Sequence, residues 1–85
     1  MENGGYRQRR WNEIWLRTKG HVTVYVWARM RPRGCPEDHI EDVISDVALG
    51  IGESLDFIPP MPGELPYVLG IAKYKIVDHF RSEHG

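Results

Sequence analysis

The stretch "HVTVYVW", residues 21–27, decides the fold, because its β-branched and aromatic residues carry strand propensity while its position belongs to a helical pattern. Apolar residues at Trp11, Ile14, Trp15, Val22, Tyr25, Val26 and Met30 recur mostly at helical spacing, so residues 6–30 read as helical. Gly20 leaves open whether this is one helix or two shorter pieces. The deciding consideration is pairing. No other part of the chain offers a partner strand, and a lone strand leaves its backbone N–H and C=O groups unsatisfied. The expected fold is therefore all-α.

Two further helices follow from the sequence. "RPRG", residues 31–34, ends the first, and Pro36 suits the first turn of the next. Glu37 and Asp38 put negative charge at the positive end of that helix's macrodipole. At 100° per residue, Ile40, Val43, Ile44, Val47 and Ile51 form one buried stripe. Asp38, Asp42, Ser45 and Leu49 line the opposite side, with Glu41 and Asp46 beside them. Leu49 is an apolar side chain in the middle of an acidic face, either an incidental exposed leucine or the anchor of a protein contact. "GESLDFIPPMPGELP", residues 52–66, holds four prolines and two glycines and reads as a loop, part of which packs down through its apolar residues. The last helix starts at about residue 64 and buries Leu65, Val68, Leu69, Ala72, Ile76 and Phe80. Its far side carries Tyr67, Gly70, Tyr74, Asp78 and Arg81, with Lys73 and Lys75 near the edges. By periodicity alone this is a wetted surface with an Asp78–Arg81 pair.

At 85 residues the chain has room for one domain, 1–85, near the lower limit for a core-stabilised fold. The single cysteine, Cys35, has no internal disulfide partner, and no apolar run approaches the roughly 20 residues of a membrane span. A cytoplasmic, non-membrane setting is expected. The formal net charge of −1 conceals a partition: residues 1–33 sum to +6, residues 34–66 to −8 and residues 67–85 to +1. The blocks either neutralise each other in the fold or offer opposite surfaces to different partners.

The chemistry of an enzyme is not visible. There is no glycine-rich phosphate loop and no histidine pair at metal spacing. Cys35 and His39 are four apart, but two ligands do not make a site, and a helix start explains both. His21, His79 and His84 have no sequence-visible nucleophile or acid partner and read as surface histidines. No catalytic residue, metal or cofactor is assigned.

The order "PEDHIEDVISDVAL" (36–49), a loop, then "YVLGIAKYKIVDHFR" (67–81) resembles region 2 of the extracytoplasmic-function group of bacterial RNA polymerase sigma factors. Glu37, Asp38, Ile40, Asp42 and Val43 match the family's acidic helix motif. Ile71, Ala72, Asp78, Phe80 and Arg81 match its Ile-Ala, five residues, Asp, any residue, Leu or Phe, Arg motif. The opening "WNEIWLRTKGHV" (11–22) is similar to the family's first helix. Departures stand beside the matches: Glu41 replaces a usual glutamine, Ile44 a phenylalanine, Tyr67 a tryptophan and Tyr74 an asparagine. The basic stretch that often follows the final arginine is reduced to "SEHG". Family members normally continue into a helix-turn-helix domain that reads the minus-35 element, and these 85 residues contain none, so the chain is read as a fragment or as a sigma-like protein lacking it.

The resemblance implies a small three- to four-helix bundle of the sigma region 2 type and a part in transcription initiation without catalysis. It implies that Asp38, Glu41, Asp42, Ser45 and Leu49 dock on the clamp helices of the largest subunit of core RNA polymerase. It implies contact with the non-template strand of the melted minus-ten promoter element: Asp56, Phe57, Ile58 and Met61 for a flipped base, and Tyr67, Lys73, Tyr74, Lys75, His79 and Arg81 along the strand. The alternative is a sigma-like interaction module that binds polymerase or an anti-sigma factor without reading DNA.

Overall fold

The computed structural model describes residues 2–84, with side chains described for residues 5–82. Three helices account for most of it: α1, Glu2–Met30; α2, Glu37–Glu53; and α3, Glu64–His84. Single 3-10 turns at Arg31–Arg33 and Leu55–Phe57 join them, and there is no strand among the described residues. "HVTVYVW" is helical. Val22 and Val26 are fully buried in line with Ile14, Thr18 and Met30, so tertiary packing on one stripe outweighs the local strand preference. Two threonine hydroxyls of α1 are satisfied within the helix: Thr18 donates to the Ile14 carbonyl (2.8 Å) and Thr23 to that of Lys19 (2.9 Å). Gly20 does not divide α1.

Gly34 ends the first helical stretch in the left-handed region (φ 84°), its N–H donating to the Arg31 carbonyl at 3.0 Å. Pro36 stands one position earlier than expected. It is the extended residue before α2, and its carbonyl accepts from the His39 and Ile40 amides. Ile40, Val43, Ile44, Val47 and Ile51 are all buried, as their spacing predicts. From α3, Val68, Ala72 and Ile76 complete the core, while Leu65, Leu69 and Phe80 are half-buried at its edges. The three helices pack pairwise around this one core in a body of 43 × 25 × 18 Å, the long dimension being that of a 29-residue helix at about 1.5 Å per residue.

At Gly50, α2 lies directly against α3. A Cβ there would lie 2.8 Å from Ile71 Cγ2 and 3.3 Å from Lys75 Cε, so only glycine lets the two helices meet at this depth. The proline-rich connection does pack down in part. Leu55 and Ile58 enter the core, while Phe57 and Met61 remain outside at 75% and 67% exposure.

Candidate functional site

The loop between α2 and α3 is fastened to α1 by arginines spaced along that helix. Arg7 pairs with Asp56 at 2.9 Å and Arg10 donates to the Ile58 carbonyl at 2.9 Å. Arg17 grips Glu64 with both Nε and Nη2, at 2.9 and 2.8 Å. The hydrogen bonds from Arg17, with its positive charge, hold the Glu64 carboxyl below the usual glutamate range against the opposing effect of burial. They raise the Arg17 guanidinium in turn. One turn after Arg7, the Trp11 indole donates to the Ala48 carbonyl at 2.8 Å and ties the second half of α2 to the same helix. Thus part of the basic block neutralises part of the acidic one across the fold. Asp56 and Glu64 are consumed in this way, whereas Glu37, Asp38, Glu41, Asp42, Asp46 and Glu53 stay exposed.

Two surfaces gather the residues singled out from the sequence. On α2, Asp38, Glu41, Asp42, Ser45 and Leu49 are all exposed, with Leu49 66% open amid the carboxylates. Around the corner lies an open groove of about 450 Å³ between the end of α2 and the first turns of α3. Gly50 and Ile71 meet there, and Tyr67, Tyr74 and Lys75 border it with Glu53. The groove sits at the foot of the loop, since Ser54 and Pro66 also line it. Its shape follows from the glycines: Gly50 lets the helices close, and Gly70 leaves the wall between the two tyrosines without a side chain.

The expected strand-contacting residues do not all share this groove. Tyr67, Tyr74 and Lys75 line it; Lys73 and His79 do not. The His79 ring instead sits edge-on to His39 (5.4 Å between centroids) and to Phe80 (5.3 Å), and Arg33 stacks on the Phe80 ring at 3.8 Å. Arg81 is exposed beyond the groove, and Asp78–Arg81 is not among the ion pairs of the described residues. Of the loop residues, Phe57 and Met61 are available to a ligand and Asp56 is held by Arg7. Ile58 is 3% exposed, its side chain belonging to the core, so it does not reach a surface pocket. The side chain of His84 lies outside the described residues. Among the described residues no three His, Cys, Asp or Glu side chains are placed to hold a metal, and no helix is long and apolar enough to cross a membrane.

Sequence reasoning missed Gly50, Glu53, Ser54 and Pro66 as groove residues, because the meeting of two helices is not a periodicity within either. It also missed the arginine fastenings, whose partners are 45 to 49 residues away. No protein-family model, curated protein or solved structure matches the chain.

Proposed function

We propose that the chain is a transcription-initiation module of the sigma region 2 type, binding core RNA polymerase through α2 and holding the melted minus-ten strand at the loop and the aromatic groove. The observation that carries this reading is the pairing of two chemically distinct exposed surfaces on adjacent helices. One is acidic around Leu49; the other is the groove bordered by Tyr67, Tyr74 and Lys75, and the loop that joins the two helices exposes Phe57 and Met61. Their order along the chain is that of the motifs the sequence resembles. A ring such as Tyr74 stacks on an unpaired base for roughly 1–3 kcal/mol, and Lys75 supplies a cation for a phosphate. The acidic face fits a basic helical partner, with Leu49 as the apolar centre of the contact.

Core polymerase captured on the immobilised wild-type chain, and not on an Asp42→Arg, Leu49→Arg double variant, is the expected result. Equal capture by both removes the docking role. Affinity for a single-stranded minus-ten oligonucleotide is expected to fall with rising salt and on Tyr74→Ala; a flat salt response removes the DNA role.

Glu53 favours the second reading, a sigma-like module that binds a protein without reading DNA. A carboxylate at the groove repels a phosphodiester, and Lys73 and His79 lie off the groove that the family's strand contacts would need. Polymerase capture with no oligonucleotide affinity at low salt selects this alternative.

A further inference from the structure

The side of α1 that carries Leu16 and Val24 has no role in either reading, yet it exposes large apolar side chains. Residues 20–28 contain no charged side chain, in a chain of which 27% of residues are charged. Only Val22 and Val26 of that run are buried. Leu16 and Val24, two turns apart and therefore on one face, are 78% and 69% exposed. Beside them an open groove of about 650 Å³ runs along α1, with Ala28 adding apolar surface and Leu69 of α3 at its border. A set of apolar side chains gathered in a concavity differs from leucines scattered singly over a surface, and marks a place for a partner.

Its shape and charge select the partner. From Leu16 to Ala28 the groove follows α1 for about 18 Å, the length of three to four helical turns, and a concave channel of that length receives a ridge such as a helix rather than a flat surface. Arg17, His21 and Arg29 line it; Arg17 is paired with the buried Glu64, and Arg29 has no acid among the described lining residues. Arg29 is held in place over the Tyr25 ring at 3.6 Å, and Arg17 keeps 43% of its side chain exposed after pairing with the buried Glu64. A second copy docking through the same face would offer Arg29 no acid from its own described lining. We propose that the α1–α3 groove is a docking site for an amphipathic helix of a partner protein, apolar toward Leu16, Val24 and Leu69 and acidic along its flanks. This surface is separate from the α2 face and from the aromatic groove, so it stands whether or not the chain acts in transcription.

The test uses the full chain, labelled with nitrogen-15, and two synthetic helical peptides of about 15 residues, long enough for four turns. They share one leucine-alanine face and carry either glutamate or lysine flanks. The glutamate peptide is expected to move the amide signals of Leu16, Gly20, Val24 and Leu69, and to bind at least about tenfold more tightly than the lysine peptide. Val24→Glu and, separately, Leu16→Glu should abolish the shifts without changing the melting temperature, since both side chains are exposed. Equal binding of the two peptides, shifts centred on α2, or no shifts with the glutamate peptide at millimolar concentration overturn the proposal. So does a dimer in sedimentation that Val24→Glu converts to monomer, which assigns the face to a second copy. Co-sedimentation of the wild type, and not of Val24→Glu, with phosphatidylglycerol vesicles assigns it to a lipid surface and likewise overturns the proposal.

Discussion

Glu64 is 3% exposed and its carboxylate is held by two hydrogen bonds from a single arginine 47 positions earlier in the chain. A buried carboxylate is costly unless paired, so Arg17 matters more for what it prevents than for what it adds. Arg17→Met is expected to cost about 2–3 kcal/mol at neutral pH, because the charge it leaves behind stays out of water. The pH dependence has a definite sign. In the wild type the Glu64 carboxyl is held below its ordinary value, so its contribution is complete above about pH 5 and is lost as the pH falls through the ordinary glutamate range near 4.3 and below. In Arg17→Met, desolvation outweighs the remaining charge of Arg10 and favours the protonated acid, so the variant recovers stability on acidification. Urea denaturation at pH 7 and pH 4 should show the difference between the two proteins narrowing in acid; a constant difference would mean that the pair contributes packing rather than charge. Nothing in the sequence marked Glu64 as buried. It reads as an ordinary acidic residue at a helix start, and Arg17 as one of eight cations in a basic block, because burial at that distance is a property of the fold.

At the scale of elements, the three helices and their inward stripes were legible, since each rests on a local period that the core then uses. α2 is the plainest case, with all five of its expected core residues buried. α1 was harder because propensity and periodicity disagree over residues 21–27, and what decided between them was the lack of a pairing partner rather than any residue in the run. The groove was less legible than the helices: its tyrosines were visible as a face of α3, but its floor depends on Gly50, whose role appears only when α3 lies against it. Two glycine substitutions separate these levels. Gly20 lies inside α1 with nothing within 4 Å of an added Cβ, so Gly20→Ala should gain up to about 1 kcal/mol of helix propensity. Gly50→Ala gains the same locally but drives its methyl into Ile71, an overpacking that costs typically 1–3 kcal/mol. Thermal melts should therefore move in opposite directions, by a few degrees each. A rise in both would mean that α2 and α3 separate at little cost, and that the depth of the groove is not fixed by their packing.

Across the whole molecule, the charge blocks divide into a part that holds the fold and a part that faces outward. Arg7 and Arg17 bind acids of the loop and of α3, while among the described residues no ion pair joins an arginine to an acidic residue of α2. This division has a consequence for how the proposed contacts combine. Asp42, Leu49 and Tyr74 are exposed, and Asp42 and Leu49 lie on a different helix from Tyr74. Substitutions on the two surfaces should then leave the melting temperature within a few degrees of wild type and act without coupling, as sites with no shared partner do. Asp42→Arg with Leu49→Arg should weaken polymerase capture while the oligonucleotide affinity stays level or rises slightly, as added positive charge favours a polyanion. Tyr74→Ala should weaken oligonucleotide binding by about tenfold, the loss of one stacked base, and leave capture unchanged. Combining all three should give the product of the separate effects in each assay. Glu53 is the exception, because it follows Leu49 by one helical turn and also lines the groove, so it belongs to both surfaces. Glu53→Gln is expected to strengthen oligonucleotide binding and to weaken polymerase capture in the same protein. An unchanged oligonucleotide affinity would mean that the strand does not run past the end of α2, and that the groove serves the protein-binding alternative.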